Sequence, residues 1–454
     1  MSETEQTAWE QLVEFVDQKQ AESRVPGIAV GIFHHGEITA QGFGVTNVDH
    51  PLPVTDTTLF QIGSITKTFT GTLVMRLVEQ GKLDLDATIR SYLPDFRVVD
   101  ANASSHATVR HLMTHLGGWE GDLFLDTGPG DDALAKYVMA MAEQTQLAPL
   151  GTHWSYNNAG FGVLGRLIEV ASGQSYEAAL KSQVLEPLGM EHTFLEPADV
   201  MTHRFVVGHS VSPEGPTVLR PWQLSRATRP AGGLVTDVRD LLRYAQFHLG
   251  DGSVASQPVI QPSNIEAMRI PQVTVWGDES WGLTWGLEQL NRVQLVSHGG
   301  GTLGQITGLT LVPAHNFAIA LFTNAQQGGT VTKNVFDKAL DLYLGLARPE
   351  PKVQESSAAD LAQYVGSYGN AFSEIELGLL SGRLIGQIIN KGGFPTKETP
   401  PHPPPPPITL GVVATDRLMA LDGNFKNSMA DVVRLPDGTI GWLRLGGRLY
   451  RRNQ

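Results

Sequence analysis

Strand-like runs in this chain lie toward its two ends, on either side of a long helix-rich middle. Residues 27–33 and 37–45, separated by His34-His35-Gly36, alternate as a hairpin does. Further runs follow at 282–287, 293–297, 308–312 and 317–323. Between them, about 84–250 reads as helical. One helix there begins near Asn158, with Phe161, Leu164, Ile168 and Ala171 on one stripe, and another follows Asp237. An amphipathic helix over 7–20, with Trp9, Leu12, Val13 and Val16 on one face, precedes the hairpin, and a helical segment at 331–346 follows the last strand. This order predicts an α/β domain whose single sheet draws strands from both ends, with a helical lobe inserted.

Ala347-Arg348-Pro349-Glu350-Pro351 reads as a linker. Short runs at 374–380, 383–389, 408–413 and 439–445, broken by glycine and polar turns, then predict a small C-terminal β-barrel or sandwich. The proline-rich stretch at 400–407, interrupted by His402, predicts a stiff polyproline II loop, because proline cannot donate to a ladder. The expected organisation is 1–348 for the α/β part and 352–454 for the barrel.

Acidic residues outnumber basic ones by 46 to 33, for a net charge of −13. That balance argues against nucleic acid or an anionic membrane as partner. Cysteine is absent, which excludes disulfides, thiolate metal sites and a cysteine nucleophile. The acidic opening Met1-Ser2-Glu3-Thr4-Glu5-Gln6 is unlike a signal peptide, and no apolar run reaches the about 18 residues of a membrane helix. The expected location is therefore the cytoplasm. No GxxxxGK[ST] or GxSxG occurs, so neither a phosphate-binding P-loop nor an α/β-hydrolase elbow has support. His111 and His115 lie four apart on an expected helix, but His111 is not followed by the Glu that HExxH requires. No metal or cofactor is expected.

Ser64-Ile65-Thr66-Lys67 stands where a strand at 57–62 turns through Gly63 into a helix marked by Phe69, Leu73, Leu77 and the closing Gly81. Residues three apart share a helix face, so the Lys67 amine can reach the Ser64 hydroxyl. A helix start also favours negative charge on Ser64. This suits a serine nucleophile with a lysine partner.

Tyr156-Asn157-Asn158 lies on a loop leading into the second helix. A phenol beside an ammonium can shuttle a proton, and Asn158 offers both a donor and an acceptor. The bland alternative makes Asn158 a helix N-cap and Tyr156 a packed aromatic. His298-Gly299-Gly300 follows a strand, with Gly301-Thr302-Leu303-Gly304 after it, and glycines there permit close approach to the backbone. HxG also occurs at His34, His115 and His248, so each motif is weak alone. Trp119, Trp154, Trp222 and Trp281 could line a pocket, although core burial is the default expectation for each.

SxxK, YxN and a [KH]xG triad in this order resemble the serine β-lactamase and penicillin-binding-protein superfamily, over roughly residues 8–346. The class C enzymes and their esterase and D-aminopeptidase relatives are the nearest in look. Ala231-Gly232-Gly233-Leu234-Val235-Thr236-Asp237 resembles a family segment before a helix of the helical lobe. The resemblance implies a β-lactamase-like fold, an antiparallel sheet flanked by helices plus a helical lobe. It implies Ser64 as the acylated nucleophile, Lys67 and Tyr156 sharing base and acid roles, and Asn158 holding the substrate amide or the Lys67 ammonium. Gly301 and Ser64 would supply oxyanion-hole N–H groups, worth about 3–4 kcal/mol each. Where β-lactamases of this superfamily usually carry lysine, this chain has His298, largely neutral with a free pKa of about 6.5. That weakens the case for β-lactams and for peptides ending in a free carboxylate. The tail resembles the lipocalin-like barrel of peptidases acting on D-amino-acid peptides and of penicillin-binding-protein-type thioesterases that cyclise peptides.

The function expected from these readings is a metal-free serine hydrolase, a carboxylesterase or a D-amino-acid-specific peptidase, taking a small-molecule or peptide substrate. A peptide-cyclising transacylase is the variant within the class, and a catalytically silent peptide-binding sensor is the rival outside it. The sequence leaves a homo-oligomer open.

Overall fold

Strands from both ends of the chain do meet in one sheet. Its eight antiparallel strands run in the order Val273–Trp276, Glu279–Trp281, Gly286–Leu290, Val293–Thr302, Gln305–Val312, Phe317–Thr323, Gly27–His34 and Glu37–Gly44. The seam between early and late chain pairs Ile28 with Thr323 and His34 with Phe317. The computed structural model describes residues 3–254, 257–392, 399–401 and 403–453.

The central strands are buried on both faces, and successive side chains serve opposite layers. Ile28, Val30, Ile32, Ile319 and Leu321 pack beneath the helices Glu3–Ser23 and Gly328–Leu344, against Leu12, Val16, Val335 and Ala339. Ala29, Phe33, Ala318, Ala320 and Phe322 point the other way, into the larger core built on Thr66–Glu79, Ala159–Ser172 and Val238–Leu249. The apolar stripe expected over 7–20 is therefore the contact that closes one face of the sheet.

Several bounds differ from expectation. The strand expected at 57–62 shrinks to Phe60–Gln61, paired with Val235–Thr236. The strand expected at 282–287 begins only at Gly286, because Thr284 takes the left-handed conformation (φ 72°) in a turn. The middle is less helical than expected: short helices alternate with strands such as His209–Ser212 and Gly215–Val218. Among the described residues, no helix is long and apolar enough to cross a membrane.

Residues 345–357 carry neither helix nor strand. Beyond them, eight strands from Gly366–Gly369 to Arg448–Arg452 close into a barrel, which removes both sheet edges. This selects the barrel over the sandwich. Its interior holds Tyr368, Ile375, Leu384, Leu418, Val432 and Leu443. Of the proline-rich stretch, 400–401 and 403–407 are irregular chain between Arg383–Asn390 and Ile408–Ala414, and His402 lies outside the described residues.

The barrel is hydrogen-bonded to the α/β part through its last hairpin. Trp442 Nε1 donates to Leu147 O (3.0 Å), Arg444 Nε to Trp154 O (3.1 Å) and Leu449 N to Ser155 Oγ (3.2 Å). Trp442, Leu449 and Ala148 form a small apolar contact at the same place.

Candidate active site

Ser64 lies in a 3-10 turn, Gly63–Ile65, that runs directly into the helix Thr66–Glu79. The turn is made possible by Gly63 (φ 51°), whose hydrogen in place of a Cβ lets Gly301 N approach; a Cβ there would sit 2.6 Å from that nitrogen. One strand over, a Cβ on Gly300 would fall 1.9 Å from Ile62 O. Glycines at 63, 300 and 301 thus allow the Val293–Thr302 strand to press its backbone against the turn carrying Ser64. The strand expected to stop at Ser297 continues through the triad, with His298 opposite Leu309 and Gly301 opposite Ile306.

Lys67 is fully buried, and its Nζ donates to Ser64 Oγ (3.0 Å) and to Ala231 O (2.6 Å). Burial drives its pKa well below the usual lysine value, Arg448 pushes the same way, and Asp122 opposes them. The Nζ lies 5.0 Å from the Tyr156 ring centroid. Among the described residues, the buried Tyr156 hydroxyl has no hydrogen-bond partner. Burial raises its pKa above the usual phenol value, and the nearby Ser64 hydroxyl and Arg448 offset part of that rise. Serine, lysine and tyrosine therefore converge, with opposite pressures on the two titratable groups.

Asn158 does not hold Lys67. Its side-chain amide donates to Asp122 Oδ1, and Ala231 O takes the position expected for it beside the amine. Nor does Asn158 cap the helix that follows with its side chain; Asn157 Oδ1 does so, accepting from Gly160 N (2.8 Å). His298 is 5 % exposed, and its Nδ1 pairs with Gly299 O (2.6 Å), which makes Nδ1 the protonated nitrogen. Its buried Nε2 has no partner among the described residues. Burial, then the charge on Lys67, push the His298 pKa down to about 3, so the ring is a neutral acceptor.

The histidine pair His111 and His115 has two separate duties. His111 Nδ1 pairs with the Thr108 backbone in a capping box, and buried His115 Nδ1 accepts from Asn157 N (3.0 Å). Trp119 is buried in the core and Trp222 packs on Phe205. Trp154 and Trp281, although also buried, form part of a cavity wall.

That cavity, about 930 Å³, opens onto Ser64, Tyr156, Asn158 and His298 to Gly301, with Leu123, Phe124 and Leu224 supplying apolar wall. Its last wall is the barrel hairpin Gly446-Gly447-Arg448, which no motif in the sequence marks as part of the site. Tyr156 N donates to Gly447 O (2.8 Å), and Arg448 Nε donates to Asp122 Oδ2 (2.7 Å). Burial works against the Arg448 charge, and Asp122 more than restores it. The only local signal is a glycine pair, Gly446 and Gly447 (φ 56° and 78°), between two strand-like runs. That predicts a tight turn and nothing about what it touches.

Residues 12–342 match the Beta-lactamase family. Penicillin-binding protein 4 of Amycolatopsis lactamdurans is 33% identical over 365 residues, 78% of this chain and 95% of that protein. Among solved structures, SurE aligns with a TM-score of 0.78 and 27% identity over 99% of this chain and 100% of its own. Its form with D-Leu gives 0.76 and 26%, over 98% and 100%. A class C β-lactamase from Rhodobacter sphaeroides, 22% identical with a TM-score of 0.61 over 72% of this chain and 98% of its own, shares the fold.

Proposed function

The chain belongs to the β-lactamase family, and from that premise we propose that it forms an acyl-enzyme on Ser64 at the carbonyl of a D-residue in a peptide ester or amide. The observation carrying this reading is the 3.0 Å contact between Lys67 Nζ and Ser64 Oγ inside a buried site. Burial that lowers the lysine pKa favours the unprotonated amine that a base requires. A phenol pushed upward keeps its proton. Opposite displacements of two neighbours support Lys67 as the base: Lys67 takes the Ser64 proton, Tyr156 passes one to the leaving group, and Lys67 returns its proton to the Tyr156 oxygen. Backbone N–H groups of Ser64 and Gly301 receive the oxyanion, and the Asn158 amide orients the acyl chain.

Cavity size and lining favour a peptide over a small ester. About 930 Å³ with Trp154, Trp281, Phe124 and Leu224 in its wall suits several side chains. His298 contributes no cation, and Arg448 is the charge left to meet a carbonyl or carboxylate oxygen. The D-Leu-bound relative supports D-configuration at the scissile residue. The same cavity leaves room for an amine in place of water beside the acyl group, which favours transacylation or cyclisation as the second reading. A silent peptide sensor has no use for a lysine buried against serine.

A fluorophosphonate probe tests acylation: labelling of Ser64, abolished in Ser64→Ala, is expected, and an unlabelled wild-type chain would sink the proposal. Paired D- and L-aminoacyl p-nitroanilides and peptide thioesters then test configuration. Equal turnover of both enantiomers removes the D-residue assignment while leaving the acyl-enzyme intact.

A further inference from the structure

At the tip of the first hairpin, two adjacent histidines and a glutamate from the N-terminal helix bring their donor atoms together. His34 ends the strand Gly27–His34, and His35 and Gly36 form the two-residue turn. Neighbouring residues in an extended strand point to opposite faces. His35 escapes that rule because it takes the left-handed conformation (φ 48°), one that asparagine, aspartate and histidine tolerate better than other side chains. Both imidazoles therefore lie on one side, with ring centroids 3.9 Å apart.

Glu5, in the first turns of the helix Glu3–Ser23, faces them. Its Oε1 is 3.0 Å from His34 Nδ1 and 3.8 Å from His35 Nε2. The three donor atoms all lie within 4.8 Å of one another. A tetrahedral site with bonds of about 2.1 Å separates neighbouring donors by about 3.4 Å, so small adjustments suffice. A cavity of about 120 Å³ adjoins them, walled also by Ile32, Glu37, Thr39 and Tyr343. Two imidazoles with one carboxylate suit zinc or nickel better than calcium or magnesium, which prefer all-oxygen sets.

We propose that Glu5, His34 and His35 bind one divalent transition metal ion, Zn²⁺ or Ni²⁺, with water completing the coordination, and that the ion clips the N-terminal helix to the hairpin. None of the three lines the cavity at Ser64, so the site is separate from acyl transfer. It ties together the two earliest elements of the fold, whose packing closes one face of the sheet.

The test uses the full chain without an affinity tag, stripped with EDTA and titrated calorimetrically with ZnCl₂ and then NiCl₂. One ion per chain is expected, with a Tm that rises on adding the metal. His35→Gln is expected to weaken binding at least about tenfold and abolish the Tm rise, while turnover at Ser64 is unchanged. The His35 side chain is 71% exposed, so no neighbour has to repack, and only a small fall in the metal-free Tm is expected because glutamine tolerates the left-handed backbone less readily than histidine. Glu5→Gln is the second variant and should weaken binding similarly. Binding that persists undiminished in His35→Gln, or no saturable binding of either metal to wild type, overturns the proposal and leaves a histidine–glutamate ion pair.

Discussion

The Arg448 guanidinium stands 5.0 Å from the centroid of the Tyr156 ring, bringing the last hairpin of the barrel over the phenol of the α/β part. Asp122 clamps the same guanidinium and also accepts from Asn158. One carboxylate therefore ties the barrel to the loop that carries the tyrosine and asparagine.

Removing that cation should move the pH profile. Arg448 lowers the Lys67 pKa and Asp122 raises it. In Arg448→Met the repulsion is gone and the carboxylate is unopposed, so the Lys67 pKa rises. The acidic limb of kcat/KM, which reports Lys67 losing its proton, should shift to higher pH. KM for D-aminoacyl peptides should rise roughly tenfold or more, the size of a lost charge-assisted hydrogen bond. An unmoved limb would dissociate Arg448 from Lys67.

Lys67→Ala removes the proposed base. Turnover of p-nitrophenyl esters should fall by about 10²- to 10⁴-fold, with the circular dichroism spectrum of wild type. Retained turnover would take the lysine out of the mechanism.

Gly300→Ala tests the backbone contact. A methyl 1.9 Å from Ile62 O cannot be accommodated without parting the Val293–Thr302 strand from the Ser64 turn. Overpacking of this kind costs about 1–3 kcal/mol. Activity should fall more steeply than stability, because Gly301 moves with its neighbour. Urea unfolding measured beside ester turnover separates the two effects.

Glu120 gives a pH-dependent stability. It is 8 % exposed and accepts from Ala371 N (3.0 Å) in the barrel; burial raises its pKa to about 7. A carboxyl with a folded pKa above its unfolded value of about 4.3 is best tolerated protonated. Stability is then full below about pH 4 and declines as pH rises toward 7, where the unfolded chain ionises and the folded one resists. Glu120→Gln should therefore leave Tm unchanged at pH 4 and raise it by several degrees at pH 8. Scanning calorimetry at the two pH values decides it.

Much of the fold is legible locally. The apolar runs at 27–33 and 317–323 reflect strands sandwiched between two helical layers, and both expected strands are present within a residue. Serine and lysine three apart meet because an i, i+3 spacing on a helix places them on one face. Tyr156 and His298 stand out by the order of their motifs along the chain, and both line the same cavity. The contacts of Asn158 are not legible, because its partner Asp122 belongs to a loop with no motif of its own. Strand bounds near Ser297 and Gly282 are misjudged because glycine carries no periodic side-chain signal, so ladder pairing alone decides there.

The sequence by itself determined the relationships between neighbours along the chain: the reach of Lys67 to Ser64, the two-faced strands and the turn at Gly63. Only the tertiary structure decided that Ala231 O, Asp122 and Arg448 surround the lysine and tyrosine. The first two depend on loops that the packed helical lobe brings beside Lys67 and Asn158, and the Arg448 contact depends on how a barrel docks onto a loop hundreds of residues earlier, where the fit of two finished surfaces decides. No local pattern encodes that fit.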